Sequence, residues 1–167
     1  MRWSIAALVA TLACGCAQAP SRGAAASAND LTGAWRAQIQ FRDGAFAAVH
    51  DLEFMYVFNA GGTMTESSNY DAAPPVPPAY GIWRKVGPNR YEAKYEFYAT
   101  RPPTAFDEIA KGGGWPPAGR GVLSETITLS DDGKAYTSTI RYEAFDRAGK
   151  PIEGGASASG RGVRLGF

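Results

Sequence analysis

His50 is the only histidine of the chain, and both cysteines, Cys14 and Cys16, lie near its start. Beyond them no His/Cys set remains for a usual zinc, haem or copper centre, so no metal or other cofactor is expected. His50 opens an alternating stretch, in phase with Leu52 and Phe54. It reads either as a rim acid–base or hydrogen-bonding group, or as a partly exposed histidine at a strand start, the commoner case. Glu125 lies between Leu123 and Ile127, in phase with Leu129. Facing inward, an unpaired carboxylate there would cost several kcal/mol or shift its pKa upward. It would then have to pair, stay protonated or serve a ligand; facing outward, it would be a solvated surface group. Glu66 follows a four-residue turn that permits two registers, and these put it on opposite faces.

Tyr56, Tyr95 and Tyr142 each stand in phase with an apolar face. Such a wall, greasy with polar tips, suits a flat and mostly apolar ligand that needs one or two hydrogen bonds. The same pattern also builds an aromatic core with satisfied hydroxyls. Tyr70, Tyr80 and Trp115 lie in or beside the long connections and extend the candidate ligand-binding set, with Glu125, to the rim. Glu125, His50 and Tyr95 are the candidates for any acid–base chemistry. No phosphate loop, dinucleotide fingerprint, nucleophile elbow or zinc-protease helix is present. Exposed apolar groups in the connections (Pro77, Pro78, Phe106, Ile109 and Trp115 among them) either contact a partner or plug the fold.

The elements that must carry these groups are strands. Period-two alternation, rich in Val, Ile, Thr, Tyr and Phe, marks 32–42, 49–58, 63–68, 80–86, 90–98, 122–129 and 135–145. A final Gly/Ala/Ser-rich strand covers 152–165 and brings little side-chain volume, so its inward positions leave space or permit a bend. Eight strands in hairpin order predict an all-β, antiparallel up-and-down barrel. Alternate connections then share an end. Residues 59–62, 87–89 and 130–134 are tight turns built from Gly, Asn and Asp, whereas 43–48, 69–79, 99–120 and 146–150 include the two long loops. Function is expected at the loop-bearing end. Beyond residue 16 the chain carries 16 basic and 16 acidic side chains, interspersed, which argues against nucleic acid as a partner.

Met1 and Arg2 precede a short apolar run ending near Leu12, the pattern of a secretory signal rather than a membrane span. With the cysteines directly after it, the segment resembles a bacterial lipoprotein signal. That resemblance implies lipidation at Cys16, or at Cys14, and an exported, periplasmic, membrane-anchored protein. The expected division is 1–16 signal, 17–30 Ala/Ser-rich tether and 31–167 barrel domain, with the membrane touched only through the lipid anchor.

Gly33 and Trp35 at the start of the first strand resemble the Gly-x-Trp signature of lipocalins and the wider calycin superfamily. The run from Phe58 to Glu66 (Phe-Asn-Ala-Gly-Gly-Thr-Met-Thr-Glu) and a second Gly-x-Trp at Gly81 and Trp83 resemble small exported bacterial lipocalin-like proteins. The resemblance implies a lipocalin-like barrel in which Trp35 packs at the closed end beneath an arginine of the last strand, here expected to be Arg161, with Trp83 also structural. It implies a small apolar ligand in the lumen. Similarity to allene-oxide-cyclase-like barrels gives the alternative of a cofactor-independent isomerase or cyclase. A protein-contact module using the loop-bearing rim is the further alternative.

Overall fold

A computed structural model describes residues 30–70, 77–112 and 114–166. The expected signal, most of the tether, both cysteines and residues 71–76 lie outside the described residues. Eight strands close into one barrel: β1 (Gly33–Phe41), β2 (Glu53–Phe58), β3 (Thr63–Ser68), β4 (Ala79–Gly87), β5 (Arg90–Thr100), β6 (Pro117–Leu129), β7 (Ala135–Asp146) and β8 (Pro151–Arg164). One short helix, α1 (Phe106–Gly112), stands between β5 and β6. Each strand pairs antiparallel with the next, and β8 returns to β1 along a register running from Trp35 opposite Arg164 to Phe41 opposite Ala158. Closure leaves no open sheet edge to aggregate.

Alternation decides what goes inside. Trp35, Ala37, Ile39 and Phe41 of β1 are all buried, and so are Phe54, Tyr56 and Phe58 of β2. Tyr91, Ala93 and Tyr95 of β5 join Leu123, Ile127 and Leu129 of β6 in the same core. Removing this apolar surface from water drives the fold, at roughly 25 cal/mol per Å². Rings cross the lumen rather than merely lining it: Tyr56 on β2 meets Tyr95 on β5 at 5.9 Å and Tyr136 on β7 at 6.5 Å.

The tight-turn end is sealed by an arginine, but not the one expected. Arg161 points out to solvent, in phase with the exposed Val163 and Leu165. Arg164 lies on the inward side with Gly162 and Gly160, and its guanidinium stacks 4.3 Å from the Trp35 ring. It donates to the carbonyls of Gly133, Thr32 and Asp30, while the Trp35 indole N–H donates to the Leu31 carbonyl at 2.8 Å. Trp83 closes the same end between Phe58 and Tyr91 and donates to the Asn59 carbonyl.

Two further expectations are revised. Strand β2 begins at Glu53, because Gly44–Ala47 and Phe46–Val49 form backbone-bonded turns that take residues 46–50 out of the ladder. The connection after β5 is also shorter than read, since β5 and β6 extend to Thr100 and back to Pro117. Residues 117–121 (Pro-Ala-Gly-Arg-Gly) carry no alternating pattern. They pair as a strand because Gly121 accepts the Phe97 ring, whose Cζ would be 2.2 Å from any Cβ there. Helix α1 follows Thr104, whose N–H and hydroxyl both reach the Glu108 carboxylate, itself bound to Arg101 at 2.6 Å.

Candidate functional site

The polar content of the lumen gathers beneath the open end. Glu125 projects inward from β6 and is 2% exposed; Glu66 projects inward from β3 and is 6% exposed. Register places Glu66 opposite Tyr56, and Glu125 opposite Ala93 on one side and Ile140 on the other. Of the two registers open to Glu66, the Asn59–Thr63 turn selects the inward one: the Asn59 N–H bonds the Thr63 carbonyl, so Phe58 pairs with Met64.

A chain of hydroxyls leads to one carboxyl. Tyr95 donates to Glu125 Oε2 at 3.0 Å, and its own oxygen lies 3.1 Å from the Tyr56 hydroxyl. Since a phenol has one proton and Tyr95 spends it on Glu125, Tyr56 is the donor to Tyr95. Four buried atoms near this chain lack a partner: Glu66 Oε1, Glu125 Oε1, the Tyr136 hydroxyl and Ser138 Oγ. Ser138 Oγ faces Glu125 and lowers its pKa without reaching hydrogen-bond geometry. Each orphaned buried polar atom costs about 1–3 kcal/mol, so the fold maintains an arrangement that destabilises it.

Charge follows from burial. Desolvation pushes Glu66 up to about 8, with Glu125 adding to the effect. Desolvation likewise pushes Glu125 up to about 7, opposed by the hydroxyls of Ser138, Tyr95 and Tyr56. The Tyr56 and Tyr95 phenols are raised well above their usual range, first by burial and then by Glu125, and remain protonated donors. At neutral pH the lumen thus holds carboxyl groups poised between acid and base.

Above this floor the lumen becomes a half-open aromatic collar. Phe97 and Tyr142 stack at 6.2 Å with planes 10° apart, and Phe46 meets both Phe41 and Tyr70. Beside it, the β7–β8 register shifts between Tyr142 and Ala144. An open groove of about 440 Å³ lies there, lined by Tyr142, Ala156, Ser157, Gly154, Gly155 and Asp43 among others. The small residues of β8 divide accordingly. Gly154 has open space around it, whereas Gly160 and Gly162 are filled by Ser138 with Ile39 and by the Tyr136 ring. Of these three glycines, the one with open space is Gly154, near the mouth.

The structure brings together Glu125, Tyr95 and Tyr56, and places Tyr142 and Tyr70 in the collar above them. Tyr80 does not join them: it faces outward from β4 and is 67% exposed. His50 is exposed before β2, with Nδ1 3.1 Å from Gln40 Oε1 on the barrel exterior, so it is not part of the Glu125 cluster. Trp115 sits in the connection after α1, 37% exposed. Tyr136 and Ser138 went unnoticed in the sequence, although both stand in phase with Ile140 and Tyr142 on β7. The fold class is that of closed, eight-stranded antiparallel barrels. No protein-family model matches the chain, and no curated protein matches it.

Proposed function

We propose that the chain is a lipocalin-like binding barrel that takes one small, mostly apolar molecule through its loop-bearing end. The observation that carries this reading is the set of four unpaired polar atoms buried beneath an aromatic collar. Apolar walls with a few convergent polar groups are the usual composition of a small-molecule site. The Trp35–Arg164 stack at the closed end supports the calycin resemblance, and the groove beside β8 borders the collar at Tyr142.

Ala158 tests it. Its side chain is buried between Phe41 and Ile140 on the inner face, at the boundary between floor and collar. A neutral naphthylamine dye should bind the parent saturably at one per chain. Ala158→Phe should abolish binding with the all-β circular dichroism retained, and Ala156→Phe nearer the mouth should weaken it. Val163→Phe, on the exposed face of the same strand, should leave it intact. Absence of saturable binding by the parent, or full binding by both lumen variants, would overturn the reading.

A second reading rests on the Tyr56–Tyr95–Glu125 chain. A carboxyl at about 7, connected to two phenols, is matched to proton transfer near neutral pH, as a cofactor-independent isomerase or cyclase requires. Conversion of a bound ligand that stops in Glu125→Gln while binding persists would favour it over simple binding.

A further inference from the structure

The polar floor has a direction of charge that narrows its ligand. Glu66 and Glu125 enter the lumen from strands on different sides of the barrel, and among the described residues no basic side chain forms an ion pair with either. Their surroundings can be followed strand by strand. Strand β1 presents Ala37, Ile39 and Phe41; β2 presents Tyr56; β4 presents Ala79 and Gly81; β5 presents Ala93 and Tyr95; β7 presents Tyr136, Ser138 and Ile140; β8 presents Ala158 and Gly160. The cations on this face are turned to the closed end: Arg164 is held by three backbone carbonyls and the Trp35 ring, and Lys85 lies over the Tyr91 ring.

We infer that this floor is an ammonium site: the barrel takes a small primary amine on an apolar body, with the charged nitrogen held between Glu66 and Glu125. This deepens, and rests on, the reading of the lumen as a binding chamber. Count of donors and acceptors favours it. Glu125 Oε2 is taken by Tyr95, but Oε1 of each glutamate is unpaired, and so are Ser138 Oγ and the Tyr136 hydroxyl. A primary ammonium carries three N–H donors and no acceptor, which matches in number two carboxyl oxygens and one hydroxyl.

Two β7 hydroxyls stand beside the acidic pair: Ser138 helps lower the Glu125 pKa, and both glutamates help raise the Tyr136 phenol. Ser138 and Tyr136 are 7% and 3% exposed, and neither has a partner. A Cβ placed on Gly160 would lie 2.4 Å from Ser138 Oγ and 3.8 Å from Glu125 Oε1, so Ser138 fills the space over Gly160 and Glu125 Oε1 lies at van der Waals distance from the same point. Tyr56 and Tyr95 add aromatic faces that attract a cation. An anionic ligand would meet two carboxyls and, among the described residues, no cation paired with them. A divalent metal is poorly served, since among the described residues no group of three metal-binding side chains exists.

Binding has a proton balance. At pH 6 both carboxyls are largely protonated, the buried phenols stay neutral, and an arriving ammonium must ionise one carboxyl. Up to one proton passes from that carboxyl to the buffer for each ligand bound.

Three molecules of one shape provide the test: 3-phenylpropylamine, 3-phenylpropanol and 3-phenylpropanoate, titrated calorimetrically into the parent chain. The amine should bind at least about tenfold tighter than the alcohol and the carboxylate weakest, a difference of one charge-assisted contact. At pH 6, titration in two buffers of different ionisation heat should reveal release approaching one proton per amine. Glu66→Gln and Glu125→Gln should each bring the amine to within about threefold of the alcohol while alcohol binding is kept. Equal binding of amine and alcohol by the parent, or no proton release, overturns the ammonium site and leaves the chamber standing. If none of the three binds but the neutral dye does, the ammonium site is again overturned. Failure of the dye as well removes the chamber itself. The parent comparison decides the matter even if a variant fails to fold.

Discussion

Glu66 and Glu125 hold protons more tightly in the barrel than in the unfolded chain, because burial penalises their ionised forms. Their contribution to stability is therefore complete below the unfolded value of 4.5. It is lost as pH rises toward about 7 for Glu125 and about 8 for Glu66. On the order of 3–5 kcal/mol is at stake for each carboxyl, by the free energy attached to a shifted proton. The lowered carboxyls act in the opposite sense and in another window. Glu108, held at about 2 by Arg101 and Thr104, loses its contribution only as pH falls below 4.5. Urea midpoints should accordingly fall steadily from pH 5 to pH 8.5 in the parent. Glu66→Gln, which cannot ionise, should flatten the upper part of that slope. A parent midpoint constant across the range would show that neither carboxyl is buried as described.

Strands were the legible elements, and their failures share one cause. Where large and polar residues alternate, as in Trp35–Phe41 or Tyr91–Phe97, the pattern predicts both the strand and its inward face. Where side chains are small, alternation carries no phase. In β8 the residues 154–160 are Gly, Ala and Ser, so the inward set could be assigned to either parity. Arg161 shares its phase with Val163 and Leu165, but that apolar pair is on the exposed face, and Arg164 is the inward residue. Gly162 explains the true phase, because the Tyr136 ring occupies the space above it and would meet a Cβ at 2.1 Å. Glu125 illustrates the same limit at the site: its phase was readable, but its partners come from β2 and β5, which no local pattern connects. Arginine replacement tests the strand assignment. Arg164→Ala loses the stack on Trp35 and three backbone partners, which should cost about 2–4 kcal/mol. Arg161→Ala, an exposed change, should stay within about 0.5 kcal/mol. Equal urea midpoints for the two variants would contradict this closure of the barrel.

Across the whole molecule, stability and access run in opposite directions along the barrel axis. The closed end joins the fully buried Leu31, Trp35 and Tyr91 to Tyr136 under one arginine, with tight turns that leave few backbone groups to open. The mouth has half-buried Phe97, Tyr142 and Ala156, strand registers that slip at Ala99/Thr100 and Tyr142/Ala144, and a groove where β8 departs from β1. Local opening is set by such differences in burial and pairing, so amide exchange should reveal them. Amides of 35–39, 91–95 and 125–129 should exchange slowest. Those of 97–100, 142–146 and 152–156 should exchange at least about 100-fold faster, a span that local opening free energies readily cover. Adding a ligand that enters the mouth should slow the second group and leave the first nearly unchanged, because the closed end is already limited by global unfolding. Uniform protection along every strand would deny the axial gradient. Ligand-induced slowing confined to the closed end would place the entrance on the wrong side of the barrel, and with it the collar, the groove and the polar floor beneath them.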